Sequence, residues 1–216
     1  METNLGSPSG EAGAPLPGPS AVVLAAGAST RLGAPKVLLE FGASTALEIL
    51  LATLASAGVT RGVVVLGDDA GSVQARVDAT PLSFVRNVAP GRGRVGSLQC
   101  GLAALPANSD VLLWPADRPF ADAATVLALL ATRERLPRAY GSIVPRDQGR
   151  RGHPILVSSV SLRHVEAAPP DASLRDVFRR AGVPTIDVPV DDEGIHVNLD
   201  TADDYERALA WWRGRR

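Results

Sequence analysis

The chain holds 216 residues, 45 % of them hydrophobic, with a net charge of −1, which is enough apolar material for one domain with a substantial core and too much for a disordered chain. Near-neutral charge excludes the basic footprint of a nucleic-acid or anionic-membrane binder, and no apolar run reaches the roughly 20 residues of a membrane helix. With Cys100 as its only cysteine the chain has no disulfide framework, which suits a reducing, cytoplasmic location.

Residues 1–19 are rich in Gly, Pro, Ser and Glu, without the basic start and apolar centre of a secretory signal. They read as a disordered leader ahead of one domain over residues 20–216. Ala21–Ala25 is a short apolar strand that turns at Gly27. Ser44–Ala57 carries Leu47, Leu50, Leu51 and Leu54 at helical spacing, with Ser44 as N-cap and Gly58 as stop. Val63–Leu66 is a second strand, Gly71–Asp78 a helix, Leu82–Arg86 a third strand and Gly96–Leu105 a helix. Cys100, among Leu98, Leu102 and Leu105 on that helix, reads as a small apolar residue and not as a nucleophile.

Asp110–Trp114 is a fourth strand, followed by a helix over Ala123–Arg133. Strands at Tyr140–Val144 and Ile155–Val157 flank a basic loop, and short helices follow near Ser159–Glu166 and Leu174–Ala181. Strands at Thr185–Val188 and Ile195–Val197 precede a last helix that opens on a capping box between Thr201 and Asp204. Continuous β-branched runs alternating with helices predict a single Rossmann-like, doubly wound α/β fold: a mostly parallel sheet with helices on both faces. Ligands gather at the carboxyl ends of such strands, so the chemistry is expected just after Ala25 and just after Trp114.

After the first strand comes Leu24-Ala25-Ala26-Gly27-Ala28-Ser29-Thr30-Arg31-Leu32-Gly33-Ala34-Pro35-Lys36. Small residues let backbone N–H groups converge on an anion, and Arg31 and Lys36 add two cations, a combination that suits a triphosphate. Lys36 is the only lysine beside 21 arginines, so a compact ammonium is wanted where a guanidinium fork would not serve. Neither G-x-x-x-x-G-K-[ST] nor G-x-G-x-x-G is present.

This stretch, L-A-A-G-x-S-x-R-x-G-x-x-K, closely resembles the signature of MobA-like nucleotidyltransferases, and within them the molybdenum cofactor cytidylyltransferases. Scattered motifs extend the resemblance from Ala21 to about Arg213. It implies a fold of the nucleotide-diphospho-sugar transferase type and a nucleotide site at Leu24, Ala25, Ala26, Gly27, Arg31 and Lys36. Gly91-Arg92-Gly93-Arg94-Val95-Gly96-Ser97-Leu98 resembles the family's G-x-x-x-S-L segment beside base and ribose. Helix-start amides at Gly96 and Ser97 are therefore candidate ligands, the alternative being a glycine loop with Ser97 as an ordinary cap.

Asp117, in Pro115-Ala116-Asp117-Arg118-Pro119, matches the family's Mg²⁺-holding Asp in G-D-x-P, although Ala116 replaces the usual Gly and Arg118 stands beside the acid. Magnesium favours one or two carboxylates with phosphate oxygens and water, whereas the alternative role for Asp117 is a turn residue. Asn198 and Asp200, in His196-Val197-Asn198-Leu199-Asp200-Thr201, resemble the N-x-D-T-P-E-D segment. Their period-2 spacing puts both on one face of a strand end, where either completes the metal sphere or Asp200 favours the next helix's dipole.

Arg151, Gly152 and His153 resemble the family's G-H-P or G-N-P segment near the acceptor, with Arg150 read as solvated surface. Nothing pairs the three histidines with cysteines at zinc spacing. The resemblance implies transfer of an NMP, CMP from CTP, to a phosphorylated acceptor, molybdopterin or molybdenum cofactor. Lys36 and Arg31 serve as cation clamp and Mg²⁺ on Asp117 as Lewis acid. It also allows transient contact with a molybdoenzyme or its chaperone. Alternatives are a same-fold transferase acting on a sugar phosphate or other cofactor precursor, guanylyl transfer from GTP, and a non-catalytic nucleotide-binding module. An alanine at position 26, where guanylyl-transferring relatives carry glycine, favours CTP.

Overall fold

The computed structural model describes residues 18–27, 35–77 and 80–215. In chain order these form β1 (Ser20–Ala25), β2 (Glu40–Phe41), β3 (Ser44–Thr45), α1 (Ala46–Ser56), β4 (Gly62–Leu66), α2 (Ala70–Arg76), β5 (Ser83–Arg86) and α3 (Arg94–Ala103). There follow β6 (Val111–Pro115), α4 (Ala123–Glu134), β7 (Ser142–Asp147), β8 (Arg150–Arg151), β9 (Ile155–Val157), α5 (Ser159–Glu166), α6 (Leu174–Arg180), β10 (Thr185–Pro189) and α7 (Ala202–Gly214). The leader expected over residues 1–19 lies outside the described residues up to position 17.

The main sheet runs β10-β7-β9-β6-β1-β4-β5, with β8 paired to β7. β1 is parallel to both neighbours, β4 and β6, and β4 is parallel to β5. β9 is antiparallel to β6 and β7, because the chain returns from β7 through the short β8 hairpin instead of a helical crossover. The chain leaves β1 for β4 on one side and later fills β6 on the other. The gap between the carboxyl ends of β1 and β6 is thus a topological switch point.

Alternation along β1 sends Val23 to one face and Val22 to the other. Val23 joins Leu112 and Ile143 under Leu47, Leu50 and Leu54 of α1 and Val126 and Leu129 of α4. Val22 joins Val63, Val65 and Leu113 under Val95 and Leu98 of α3 and Leu162 and Val165 of α5. Among the described residues no helix is long and apolar enough to cross a membrane. A third cluster of Phe41, Phe120, Leu199 and Ala208, with Tyr205, Trp211 and Trp212 against it, moors α7. Its Phe41 and Phe120 rings meet edge to face at 4.7 Å.

Two local expectations change. Thr45, not Ser44, caps α1: its hydroxyl accepts the Glu48 amide at 3.3 Å and Glu48 reaches back to the Thr45 amide at 2.6 Å. Ser44 instead pairs with Phe41 in the β2–β3 hairpin. Gly58 does end the helix, at φ +76°. The strand expected at Ile195–Val197 is a 3₁₀ turn over Glu193–His196, because the Asp192 side chain accepts the Gly194 amide at 3.0 Å and winds the chain tightly.

Candidate active site

At the switch point the Ala116 amide bonds the Leu24 carbonyl at 2.9 Å, locking the turn after β6 against the end of β1. A cavity of about 70 Å³ opens there, lined by Leu24, Ala25, Gly27, Lys36, Asp69 and Asp117 among others. Ala26 is not among its lining residues; it is buried and packs with Val65, Val95 and Leu98 beneath the loop. Arg31 lies outside the described residues, as do Ser29 and Gly33.

Lys36 opens the short 3₁₀ segment Lys36–Leu38. Its Nζ sits 3.1 Å from Asp200 Oδ1, and Asn198 Nδ2 donates to Asp200 Oδ2 at 2.8 Å. Asn198 and Asp200 thus meet as the sequence spacing suggested, although no strand carries them. Partial burial pushes the Asp200 carboxyl up, but hydrogen bonds from Lys36 and Asn198 and the charges of Lys36 and Arg118 outweigh it. The net direction is below the usual carboxylate range.

Asp117 sits on the turn after β6. That turn is closed by the Arg118 amide on the Pro115 carbonyl at 3.1 Å and by the buried Trp114 indole N–H on the Arg118 carbonyl at 2.7 Å. The Leu199 amide bonds the Asp117 carbonyl at 2.9 Å, joining this turn to the Asn198–Asp200 segment. Asp117 Oδ2 lies 3.5 Å from the Arg94 guanidinium. Its Oδ1 is buried and has no hydrogen-bond partner among the described residues. The orphaned Asp117 oxygen, on a turn joined through the Leu199 amide to the segment carrying Asn198 and Asp200, offers oxygen donors of the kind a hard divalent cation favours. No group of three or more His, Cys, Asp or Glu gathers among the described residues, so such a cation would lean on phosphate oxygens and water.

His153 is half-buried with its Nδ1 shielded from water, and that burial, with the charges of Arg118 and Arg94, pushes its pKa down to about 4. It is therefore a neutral imidazole beside two guanidiniums, and its Nδ1 has no partner. Arg94 and Arg118 were not assigned roles from sequence. Their only signals were the Arg92 and Arg94 pair in one loop and the place of Arg118 next to Asp117.

Several expected contacts are placed otherwise. The Gly96 amide already donates to the Pro170 carbonyl at 2.8 Å and the Ser97 amide to Gly93 at 3.2 Å. Ser97 Oγ accepts from Asn87 Nδ2 at 3.1 Å. These amides are committed within the fold and are not free to hold a phosphate. Arg151 turns outward, with Nε 2.5 Å from Asp187 Oδ1 on β10. Gly152 is packed so closely that a Cβ there would lie 2.5 Å from the Ile195 side chain. Cys100 is half-buried, and burial pushes its thiol up, as an inert residue requires.

Residues 21–185 match the sequence profile of the MobA-like NTP transferase domain. Nicotine blue oxidoreductase of Paenarthrobacter nicotinovorans is 33 % identical over 201 residues, covering 90 % of this chain and 98 % of that protein. The bifunctional protein GlmU of Methylibium petroleiphilum is 31 % identical over 174 residues, 73 % of this chain but only 37 % of GlmU. Among solved structures, Rv0371c of Mycobacterium tuberculosis H37Rv in complex with manganese superposes with a TM-score of 0.76 at 26 % identity, covering 90 % of this chain and 99 % of that one.

Proposed function

The chain belongs to the MobA-like NTP transferase family of nucleotidyltransferases, and we propose that it transfers CMP from CTP to a phosphorylated acceptor of the molybdopterin kind in the cytoplasm, releasing pyrophosphate. The observation that carries this reading is the chain of contacts from Lys36 through Asp200 to Asn198, tied by Leu199 to the turn bearing Asp117, at the switch point of the sheet.

A phosphate oxygen of the acceptor attacks the α-phosphorus in line; one P–O bond forms, the α–β bridging P–O bond breaks, and pyrophosphate carries away the electron pair. The nucleophile is already ionised, so no general base is required. The protein's task is to hold both anions together and offset their charge. Lys36 lines the cavity that would take the triphosphate, and the sequence motif assigns Arg31 to the same clamp. Arg94 and Arg118 add positive charge beside Asp117, and neutral His153 offers a hydrogen bond without adding charge. Asp117, Asp200 and Asn198 would hold Mg²⁺, which supplies further neutralisation of the phosphates when bound. The manganese complex of a relative supports a divalent cation in this fold.

The preference for CTP rests on Ala26. Its methyl is buried with Val65, Val95 and Leu98 and does not line the cavity, so any effect of residue 26 on the base is indirect. The test is pyrophosphate release with Mg²⁺, screening the four NTPs against molybdenum-cofactor and sugar-phosphate acceptors. CTP with the pterin acceptor should lead, and a sugar phosphate giving the fastest turnover would replace the acceptor assigned here.

A second reading comes from the relative named as an oxidoreductase, which matches this chain over 98 % of its own length. Redox turnover of nicotine blue, and no pyrophosphate from any NTP, would favour it.

A further inference from the structure

Beyond the nucleotide cavity, a larger one of about 310 Å³ lies between the β7–β8 hairpin, the Glu193–His196 turn and α7. That volume is at the lower end of small-molecule sites, about 300–1,000 Å³. Asp147, Arg150, His196, Asn198, Arg207 and Trp211 contribute to its walls. Asn198 is also hydrogen-bonded to Asp200, which in turn holds Lys36 of the nucleotide cavity, so two contacts connect the spaces.

Two polar groups here lack partners. Asp147 is 96 % buried by residue, at 4 % relative exposure, and among the described residues its carboxylate accepts no hydrogen bond. Its neighbour across the hairpin, Arg150, is exposed and forms no ion pair with it, while Arg146 and Arg151 are both held by Asp187. The one group near it is His196, whose Nε2 stands 3.6 Å from Asp147 Oδ2, is itself buried and has no hydrogen-bond partner. A buried ring nitrogen without a partner is costly, and a nearly buried carboxylate with no protein donor draws on whatever occupies the cavity. Both needs are met if a ligand supplies the missing partners.

The required pattern is specific. The carboxylate accepts two parallel N–H bonds, and the adjacent imidazole donates one from Nε2. A ligand edge reading carbonyl, ring N–H, amino group in that order satisfies all three. That is the 2-amino-4-oxopyrimidine edge of a pterin or of guanine. Cytosine presents amino, ring nitrogen, carbonyl, which would set acceptor lone pairs of the ring nitrogen and its one carbonyl against the carboxylate. Trp211, its indole N–H held by Glu193 at 3.1 Å, adds a flat apolar surface to the wall.

We propose that this cavity binds the 2-amino-4-oxopyrimidine edge of the acceptor through Asp147 and His196, with the acceptor's phosphate reaching past Asn198 toward Lys36. The assignment rests on the proposed transferase reading for the direction in which the ligand lies. The recognition itself does not depend on it.

The test is ligand-observed NMR on the full chain with three probes: pterin, guanosine, and lumazine, in which a carbonyl replaces the 2-amino group. Wild type should bind pterin at least about ten-fold more tightly than lumazine, the loss expected for one hydrogen bond to a charged group. Asp147→Asn should remove that difference, and His196→Gln should weaken pterin in a chain whose thermal unfolding is unchanged, covering the case in which Asp147→Asn fails to fold. Guanosine binding more tightly than pterin would assign the cavity to a guanine nucleotide, still through the same edge. Equal binding of lumazine, no pterin binding up to millimolar concentration, or pterin binding indifferent to both substitutions overturns the proposal. CTP binding is measured in parallel: its absence from wild type defeats the transferase reading while the pterin titration still decides the cavity.

Discussion

Lys36→Ala separates a catalytic role from a structural one. Lys36 Nζ and Asp200 Oδ1 are 3.1 Å apart, but their side chains are 18 % and 45 % exposed, so water screens the pair. Partly exposed ion pairs contribute about 0.2–1 kcal/mol, which for a domain of this size moves Tm by about 4 °C at most. A fixed cation facing charge that develops in a transition state is a different matter; losing one such contact costs about 10²–10³-fold in turnover. The two magnitudes differ enough to be told apart in one preparation. Lys36→Ala should melt within a few degrees of wild type by scanning calorimetry and release pyrophosphate about 100-fold more slowly or worse. Lys36→Arg should recover little of the rate, since a planar fork cannot take the place of a compact ammonium that also contacts Asp200. Near-normal turnover in Lys36→Ala, or full recovery in Lys36→Arg, would refute the clamp.

Asp117→Asn should abolish the divalent-cation dependence of turnover with Tm unchanged or raised, because the orphaned Oδ1 has no partner to lose; a titration of Mg²⁺ against rate decides it. Asp110→Ala should lower unfolding stability by about 3–5 kcal/mol in urea, since it strips a buried carboxylate from Arg133 at 2.7 Å and leaves a buried guanidinium; a loss under 1 kcal/mol would count against that. His153 is held near pKa 4 in the folded chain against about 6.5 unfolded, so its contribution is complete above pH 6.5 and lost as pH falls toward 4. From that shift, acidification from pH 7 to 4 should cost up to about 3 kcal/mol more in wild type than in His153→Gln, and parallel stability–pH curves would contradict it.

What the sequence made legible is what short-range physics controls. The Leu47, Leu50, Leu54 spacing, the Gly58 stop and the Thr201–Asp204 capping box are local, and each appears where the pattern puts it. The Thr45 cap was misplaced by one residue, because Ser44 and Thr45 are both good caps; the Glu48 carboxylate three residues on decides between them. Amide commitments are not all local. Gly96 looks like a free helix start until the Pro170 carbonyl, distant in sequence, accepts its amide, whereas the Ser97 amide is spent locally on the Gly93 carbonyl. Arg151 likewise reads as an acceptor ligand until β10 brings Asp187 alongside.

The segment carrying Asn198 and Asp200 is held by contacts without a sequence signature. Lys36 and Asp200 are 164 residues apart, and the motif spacing identified both without indicating that they touch. Asp192 does much of the positioning: its buried carboxylate accepts from the Asp122 amide at 2.8 Å, Thr125 Oγ1 at 2.6 Å and the Gly194 amide at 3.0 Å. Those bonds pin the 3₁₀ turn to the start of α4, and the chain leaves the turn toward His196 and Asn198. The Leu199 amide then fastens to Asp117, while the Leu199 side chain is buried among Phe41 and Phe120. One strap therefore fixes both the proposed metal ligands and the wall of the neighbouring cavity. Asn198 both lines the neighbouring cavity and hydrogen-bonds Asp200, so a substitution there should register at the two places together.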